Sequence, residues 1–516
     1  MAGVADNTPI IIGVGEASER IDAEGYQALS PVALAAAAAS EAINDAAAGD
    51  LAGQIDLIAS IRQFEVSGPG ARPPFGASDN FSRSVAKRIG SDPKRAILEI
   101  VGGQGPQRLV NEMAHAIATG EVEMALLCGS ESISTVRHLA TKNESRDWAE
   151  AVGGQLEDRG YGMEGLLSSD VAGHGARTPI TLYALFENAR RAKLGLSRAD
   201  YRLKMGELFA PFTEVASQNP HAMSRETYSA EELAAVTGPN RLVADPFPRR
   251  MVARDQANQG AAVLLTSVGK AKELGVPEER WVYLHGGADV KERTVIQRQD
   301  LGASPAAVLA MNAALKSAGK TVEDIAVFDL YSCFPIAVFN ITDALGIARD
   351  DPRDLTVTGG LPFFGGAGNN YSMHAIASLI RALREWPGAF GLLGANGGYL
   401  SKYSAGVYST TPAEWTGFSS KALQDEIDRW EAPPLAGDYA GPATIETYTI
   451  DYQTPKPRGI VIGRTPEGKR VIAMTADDDD LTISRMIAED PLGGSIETRT
   501  EGGRNYIASF TSGDRR

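Results

Sequence analysis

The hydrophobic and polar positions repeat in the same order in the two halves of the chain. In the first half, the apolar run PIIIGVG (residues 9–15) predicts a buried strand, and an alanine-rich helix is predicted to start at Pro31 with Ser30 as its cap. In the second half, VYLHGG (residues 282–287) predicts a strand, and Pro305 to Ala318 a helix. Both halves continue with further strands, a glycine turn and another helix. This repetition predicts an internal duplication of one α/β unit.

The second half contains a glycine-rich segment, TVTGGLPFFGGAGNNYSM (residues 356–373). It predicts a strand, then a turn in which glycines such as Gly365 let the backbone approach a ligand, then a helix capped by Asn369 or Asn370. A helix N-terminus behind such a turn presents unpaired N–H groups that suit a carbonyl, thioester or phosphate oxygen. A turn with a purely structural role is the alternative interpretation. A comparable turn, Gly102 to Gly105, precedes a predicted helix in the first half.

Changes in composition divide the chain into three regions. Residues 1–270 form the first half, in which a charged, strand-poor stretch at about 142–243 predicts a helical insertion over the sheet edge. Residues 271–416 form the second half. Residues 417–516 carry short apolar strands separated by turns, which predict an additional, small antiparallel β-barrel or sandwich. We expect this last region to pack independently, so that removing it from about Pro433 leaves a folded core.

The overall charge and the cysteine count argue against several classes of function. A net charge of -15 over 516 residues argues against nucleic-acid binding, which needs a basic surface, but allows a small anionic ligand. Two cysteines, Cys128 and Cys333, make neither a disulfide framework nor a zinc site, and we expect no metal. No apolar run approaches the ~18 residues of a membrane span, and the N-terminal segment lacks the pattern of a secretory signal. The cytoplasm is therefore the expected compartment.

Two sequence features bear on ligands that carry phosphate groups. Arg190 and Arg191 belong to a cluster of basic residues in the insertion, which predicts either solvated helix faces or a phosphate site. Gly13-Val14-Gly15 is similar to part of a dinucleotide-binding fingerprint, but Ser18 stands in the place of the third glycine. A nucleotide-binding oxidoreductase is therefore the weakest of the alternatives.

Four motifs, in their order along the chain, make it resemble the thiolase superfamily. They are GSESIS (residues 129–134), DLYSCF (329–334), GGLPFFGG (359–366) and FGLLGANGG (390–398). The resemblance covers roughly the first four fifths of the chain, and it is closest to the branch of sterol-carrier-type thiolases and thiolase-like proteins. It implies an α/β fold with a duplicated, layered α/β/α/β/α core. The tail resembles the additional C-terminal domain of thiolase-like proteins type 1.

The resemblance does not carry over the catalytic residues of thiolases. Gly102 stands where the family has its nucleophilic cysteine, Gly366 where it has the activating histidine, and Asn396 where it has the second cysteine. Tyr331 replaces the Asn or His of the oxyanion hole. Thiolysis needs an activated thiolate and a positioned base. The resemblance therefore implies CoA or an acyl-CoA as the ligand, while it argues against thiolysis.

Candidate site residues lie at the ends of these strands and the starts of these helices. The candidates for catalysis are Tyr331, Cys333, His374 and Asn396, and those for ligand binding are Gly103, Gly105, Gly365, Asn370, Arg190 and Arg191. Two functions fit them: an acyl-CoA-binding enzyme with altered acyl transfer or carbon–carbon chemistry, and a non-catalytic acyl-CoA-binding or partner protein. Because thiolases usually dimerise, we expect either a monomer or a homodimer.

Overall fold

The computed structural model describes residues 4–513. In the first half the strands are β1 (Pro9–Ser18), β2 (Leu57–Ser60), β3 (Arg95–Leu98), β4 (Met124–Ser132), β5 (Glu157–Asp158), β6 (Leu242–Ala244), β7 (Phe247–Pro248) and β8 (Asn258–Ser267). The helices of this half are α1 (Pro31–Asp45), α2 (Phe81–Ile89), α3 (Gly105–Ala118), α4 (Ile133–Thr141), α5 (Ser169–Gly173), α6 (Pro179–Leu194), α7 (Arg198–Gln218), α8 (Ala230–Ala234) and α9 (Val268–Glu273).

The second half and the tail continue the same numbering. Their strands are β9 (Val282–Lys291), β10 (Ile325–Leu330), β11 (Phe390–Gly397), β12 (Lys402–Ser409), β13 (Gly441–Asp451), β14 (Arg458–Arg464), β15 (Arg470–Met474), β16 (Ser495–Glu501) and β17 (Arg504–Thr511). Their helices are α10 (Pro305–Ser317), α11 (Pro335–Leu345), α12 (Tyr371–Glu385), α13 (Lys421–Arg429) and α14 (Asp480–Ala488).

The strand order of the central sheet confirms the internal duplication. Strands of the first half lie in the order β3-β2-β4-β8-β1, and those of the second half in the order β10-β11-β12-β9. The two sets join where β1 pairs with β9. In each set the first strand of the half lies at the junction, antiparallel to the last strand of that half. The halves are thus two copies of one unit, and in the described chain the second copy has no strand equivalent to β3.

Helices on three levels complete the layered core. α1 packs on β1, β4 and β8 from one side, and α10 packs on β9 and β12 from the other. Between these layers, α3 and α12 contact each other and strands of both halves. The apolar side chains of the two central helices, such as Leu109 and Ile376, are fully buried. This arrangement confirms the predicted α/β/α/β/α fold, and it brings the N-termini of α3 and α12 together at the centre of the molecule.

Residues 356–358 do not form the strand that the sequence predicts. The buried carboxylate of Asp329, near the end of β10, accepts hydrogen bonds from the N–H of Val357 and from the hydroxyl of Thr356. The hydroxyl of Thr358 donates to the same carboxylate. Because these side-chain contacts satisfy the polar groups of the segment, it does not need the ladder of a neighbouring strand.

The tail forms a closed barrel of five strands within residues 441–511. The strands follow one another in the order β13-β14-β15-β17-β16 and return to β13. β15 and β17 pair in parallel, so the barrel is mixed, whereas the sequence predicts an antiparallel one. From the insertion, β6 pairs with β13 and β7 pairs with β6, which ties the insertion to the barrel.

The barrel shares a hydrophobic core with the rest of the chain. Ile460, Ile462 and Ile472 belong to the same cluster of buried side chains as the central layers. The guanidinium group of Arg470, which is buried, donates to the carbonyl oxygen of Ile296 at 2.9 Å. These contacts argue against the expectation that the tail packs independently.

Along residues 4–513 we find no helix with the length and apolar character that crossing a membrane requires. In the same range, no three His, Cys, Asp or Glu side chains come together in a way that could hold a metal ion.

Candidate functional site

A cavity of about 600 Å³ lies where the turns before α3 and α12 meet the ends of β10 and β11. We call it the central cavity. Its wall is predominantly apolar and includes Leu166, Ile180, Tyr183, Phe334, Leu361 and Tyr399. The structure also brings to this wall several residues that the sequence singles out, namely Gly102, Gly103, Tyr331, Cys333, Gly366 and Asn396.

The backbone conformation of the turn at Gly102 favours glycine. Its φ of 140° lies in the region that favours glycine, and a Cβ there would overlap Oε1 of Gln104. The N–H of Gly102 donates to Oδ1 of Asn369 at 2.9 Å, and the hydroxyl of Ser372 donates to the carbonyl of Gly103 at 2.6 Å. Side chains at the start of α12 therefore hold the turn that leads into α3.

Tyr331 follows β10, and its hydroxyl lies against the turn before α3. A Cβ at Gly103 would overlap this hydroxyl, so a residue without a side chain is required there. Among residues 4–513, no group forms a hydrogen bond with the hydroxyl. Burial, with a further contribution from the thiol of Cys333, raises the pKa of Tyr331 well above its usual value. The hydroxyl therefore keeps its proton at neutral pH and can donate a hydrogen bond to a ligand.

Asn396 is held by a tyrosine that the sequence analysis did not identify. Its Nδ2 donates to Oη of Tyr183 at 2.7 Å, and the N–H of Leu400 donates to the same oxygen at 3.2 Å. The ring of Tyr183 stacks on Phe334, with 4.3 Å between the ring centroids. Oδ1 of Asn396 is buried and has no hydrogen-bond partner in the described part of the chain, which leaves an acceptor at the cavity wall. The sequence gives no signal for Tyr183, because a tyrosine among the apolar residues of α6 has the same pattern as an ordinary core residue.

Cys333 is not prepared to act as a nucleophile. Its thiol is buried, and its Sγ lies 3.8 Å from Nδ2 of Asn396. Burial raises the pKa of Cys333 to about 12, although hydrogen bonds with Tyr183 and Asn396 act in the opposite direction. Because the thiolate is the reactive form, this thiol is unreactive at neutral pH.

Other predicted site residues lie behind the wall of the central cavity. His374 is fully buried in α12, where its Nδ1 lies 2.7 Å from Oε1 of Glu16. Nδ2 of Asn370 donates to the carbonyl of Gly129 at 2.8 Å. Asn370 stands at the N-cap position of α12, as predicted, but its side chain makes no capping hydrogen bond. Gly105 and Gly365 also lie outside the wall.

Arg190 and Arg191 lie away from the central cavity and form ion pairs inside the protein. Nε of Arg190 is 2.8 Å from Oδ2 of Asp343, and its guanidinium lies over the ring of Phe339, 3.9 Å from the centroid. Nη1 of Arg191 is 2.6 Å from Oδ2 of Asp490. The two arginines that the sequence predicts as possible phosphate ligands therefore bind carboxylates of the protein itself.

A second cleft, of about 900 Å³, adjoins the central cavity. Ile180, Ala253 and Asp255 belong to the walls of both. Among the residues of the described chain, five arginines line the cleft: Arg20, Arg225, Arg249, Arg250 and Arg254. We call it the arginine cleft. Three of these arginines lie close together in the sequence, in the run RRMVAR at residues 249–254. The sequence analysis did not identify this run, because it considered only the basic cluster that contains Arg190 and Arg191.

Comparisons with known proteins find a similar chain over nearly the whole length. The family model for the thiolase-like protein type 1 additional C-terminal domain matches residues 422–503. One similar solved structure is the crystal structure of a monomeric SCP2-thiolase like protein type 1 (STLP1) from Mycobacterium smegmatis, whose sequence is 44% identical to that of this chain. This match covers 98% of this chain and 100% of that chain, with a TM-score of 0.84. No match was found among curated proteins.

More distant structures share the fold of the core. The Ltp2-ChsH2(DUF35) aldolase is 17% identical, with a TM-score of 0.57 over 82% of this chain and 100% of that chain. An acetyl-CoA acetyltransferase from Syntrophomonas wolfei is also 17% identical, with a TM-score of 0.54 over 79% of this chain and 100% of that chain. Because one fold hosts many activities, these two likenesses concern the architecture alone.

Proposed function

This chain belongs to the SCP2-thiolase-like protein type 1 family, and we propose that it binds CoA or an acyl-CoA in the central cavity without catalysing thiolysis. The observation that carries the proposal is the meeting of Gly102, Gly366 and Asn396 at one cavity wall. By their motifs, these residues stand where thiolases have two cysteines and a histidine. A predominantly apolar cavity with a few polar groups at one end suits an acyl chain and its thioester.

Tyr331 and Asn396 are the groups that would orient the thioester. The hydroxyl of Tyr331 keeps its proton and has no hydrogen-bond partner within residues 4–513, so it is available to the thioester oxygen. The N–H of Gly102 already donates to Asn369 and does not serve that oxygen. Oδ1 of Asn396 is buried without a hydrogen-bond partner among the described residues, which supports a role as acceptor for a donor group of the ligand.

The absence of thiolysis follows from the groups that surround the thioester. The thiol of Cys333 is neutral because its pKa is raised to about 12. His374, one of the candidates for catalysis, is paired with Glu16 outside the cavity wall. Neither an activated thiolate nor a histidine base is therefore in place among the described residues of the wall.

A different acyl-transfer or carbon–carbon reaction is the second candidate, and the free hydroxyl of Tyr331 favours it. A neutral acid at the cavity wall can protonate an enolate as it forms next to a thioester. The acetyl-CoA acetyltransferase that shares the fold is named for acyl transfer, and the Ltp2-containing complex for aldol chemistry. A non-catalytic role, in which the bound acyl-CoA serves a partner protein, is the alternative if no product forms.

Calorimetric titration with acetyl-CoA tests the proposal. Tyr331→Phe removes only the hydroxyl and should weaken binding about threefold to tenfold. Tyr403→Phe is the matched control, because Tyr403 is another buried tyrosine outside the cavity wall. Thiolysis of acetoacetyl-CoA should stay at background. Failure of the wild-type protein to bind acetyl-CoA would refute the proposal.

A further inference from the structure

A cleft of about 360 Å³ lies between the segment that precedes α10 and the stretch that joins α13 to the barrel. We call it the linker cleft. Its wall is predominantly apolar and includes Arg293, Arg298, Pro305 and Trp430. None of these four residues lines the central cavity, so the linker cleft is a separate space.

Two arginines of this wall carry guanidinium nitrogens that have no partner. Nη1 of Arg298 and Nε of Arg293 are buried, and neither forms a hydrogen bond with a described residue. Within residues 4–513, no carboxylate lies at ion-pair distance from either guanidinium. A buried donor that is left unpaired is costly, and a buried charge without a counter-ion is more so. The linker cleft therefore contains two unused donors that an anion can satisfy.

Arg298 is fixed in place with one of its nitrogens left over. Its Nε donates to the carbonyl of Arg293 at 3.0 Å, and its Nη2 donates to the carbonyl of Tyr399 at 2.8 Å and to Oγ of Ser401 at 3.1 Å. Burial lowers the pKa of Arg298 to about 10, although the carboxylate of Glu292 acts in the opposite direction. The side chain is still charged at neutral pH, and a bound anion would stabilise that charge.

Two carboxylates of the wall are already engaged elsewhere. The oxygens of Glu292 accept the N–H groups of Arg293 at 2.8 Å and of Ala306 at 3.3 Å. Asp300 forms an ion pair with Lys193. The negative charge of these groups disfavours a dianion such as phosphate, whereas two N–H donors suit the two oxygens of one carboxylate. The wall therefore favours an anion with a single negative charge.

The remainder of the wall suits an apolar group. Ala303, Pro305 and the half-buried indole of Trp430 line it, while Glu431, the third carboxylate, is exposed to solvent. An indole provides a large apolar surface on which a ring or a short chain can pack. Apolar surface beside a few polar groups is the usual composition of a small-molecule site.

We propose that the linker cleft is a second ligand site, which binds a small organic carboxylate with an apolar body through Arg293, Arg298 and Trp430. The barrel supports this site, because Arg470 in β15 donates to the carbonyl of Ile296 at 2.9 Å, between the two arginines. The inference does not depend on the proposed function, since none of the three contacting residues lines the central cavity.

Calorimetric titration of the full chain with benzoate tests the site. Benzamide has nearly the same shape without the charge, and it should bind at least about tenfold more weakly. Arg293→Gln should weaken the binding of benzoate about tenfold, because it removes a charged donor. Trp430→Ala should weaken it about threefold through the loss of ring contact. Arg429→Gln changes an exposed arginine outside the wall and should leave the affinity unchanged.

A variant of Arg298 is less decisive, because it also removes the bonds to Tyr399 and Ser401. Arg293→Gln keeps those bonds, and Trp430→Ala provides a second test that alters no charge. Benzoate that does not bind the wild type, or that binds both variants as well as the wild type, overturns the proposal. Benzamide that binds as tightly as benzoate overturns the role of the arginines, and inorganic phosphate that binds more tightly overturns the assignment to a carboxylate.

A variant of the central cavity distinguishes the two sites. Tyr331→Phe should leave the affinity for benzoate unchanged, because Tyr331 lies outside the wall of the linker cleft. Weaker benzoate binding by this variant would place benzoate in the central cavity and overturn the inference. If the wild type binds benzoate in an arginine-dependent manner but does not bind acetyl-CoA, the linker site stands and the proposed function falls.

Discussion

The N–H of Gly102 donates a hydrogen bond of 2.9 Å to Oδ1 of Asn369. Gly102 lies in the turn before α3 and Asn369 in the turn before α12, so this bond ties the two turns together at the central cavity. The geometry depends on a φ of 140° at Gly102 and on the side chain of Gln104, which fills the space that a Cβ would need. The turn is therefore built around glycine and does not accept a nucleophile without change.

The first prediction concerns Gly102→Cys. The substitution places a thiol where, in the proposed assignment, thiolases have their nucleophilic cysteine. We expect no thiolysis, because the same assignment puts Gly366 in the place of the histidine that would activate it. Strain at this φ should lower the free energy of unfolding by about 1 to 3 kcal/mol. Urea denaturation and an acetoacetyl-CoA assay measure the two effects. Gly49→Cys, at an exposed position with open space, should leave stability unchanged. Strong thiolysis by the Gly102 variant would show that the site is assigned incorrectly.

The second prediction concerns the reactivity of Cys333. Because burial raises the pKa of this thiol to about 12, iodoacetamide near neutral pH should modify it at least about a hundredfold more slowly in the native protein than in the urea-unfolded protein. Cys128, which is buried and whose pKa is raised to about 11, serves as the internal control. Mass spectrometry measures both sites. Selective, rapid alkylation of native Cys333 would identify it as an activated thiol instead.

The fold was predictable where the chain follows local rules. Ser30 caps α1 with Pro31 at its first position, as the sequence predicts, because that combination satisfies an N–H and presets the helical φ. The strand predicted at residues 356–358 does not form, because Asp329, which is distant in the sequence, accepts hydrogen bonds that a neighbouring strand would otherwise accept. The parallel pairing of β15 and β17 in the barrel likewise depends on closure of the barrel, which local patterns do not encode.

The residues of the candidate site were predictable only where the motifs of the resemblance mark the chain. Tyr331 and Asn396 lie in such motifs, and both reach the central cavity. Tyr183 has no motif, because its position depends on how α6 packs over the cavity. The charge pattern allowed either a solvated helix face or a phosphate site at Arg190, but this residue pairs with Asp343, which is 153 residues away in the chain. Pairings over such distances are set by tertiary structure and cannot be read from composition.

The third prediction concerns pH and the buried Glu131. Burial, aided by the nearby charges of Glu65 and Asp255, raises its pKa to about 8, despite a hydrogen bond from the N–H of Phe64. The native state therefore binds this proton more tightly than the unfolded state, in which a glutamate titrates near ~4.3. Its contribution to stability is complete below that value and is lost as the pH rises through about 8.

Glu131→Gln should remove this dependence on pH. The wild type loses stability as the pH rises, and the variant does not. The difference in unfolding free energy between the variant and the wild type should therefore grow by about 2 to 5 kcal/mol from about pH 5 to about pH 9. Urea denaturation across this range measures the difference. The matched control, Glu24→Gln, changes an exposed glutamate and should follow the wild-type curve. A constant difference between Glu131→Gln and the wild type at every pH would contradict a proton-linked origin.

The fourth prediction concerns the junction between the barrel and the core. Deleting the chain from Pro433 onward exposes the surface that Ile460 and Ile462 cover, and we expect the truncated protein to aggregate in size-exclusion chromatography. Asp490→Asn in the full chain should lower the unfolding free energy by about 3 kcal/mol, because it weakens the ion pair of the buried Arg191. Glu489→Gln, next to it in an exposed pair, should have little effect. A soluble, cooperatively folding truncation would show that the barrel is dispensable.

The edge of the central sheet favours the monomer over the homodimer, the two states that the sequence analysis leaves open. β5 pairs in parallel with β3, and the backbone of Arg159 and Tyr161 continues hydrogen bonding along the same edge. The guanidinium of Arg159 fixes this segment through ion pairs with Glu112 at 2.6 Å and with the buried Glu99 at 2.8 Å. An unpaired edge strand is a template for association, and here the chain covers the edge of β3 with its own backbone.

The last prediction therefore concerns the oligomeric state. Light scattering after size-exclusion chromatography should give the mass of a single chain, 54.6 kDa, over a wide range of concentration. Arg159→Ala should loosen the segment that covers β3 and give an apparent mass that rises with concentration, because the exposed edge can then pair with a second copy. Arg95→Ala removes an exposed ion pair with Glu157 on the same segment and should remain monomeric. A wild-type protein of twice the chain mass would contradict the argument, since the covered edge would then not prevent dimerisation.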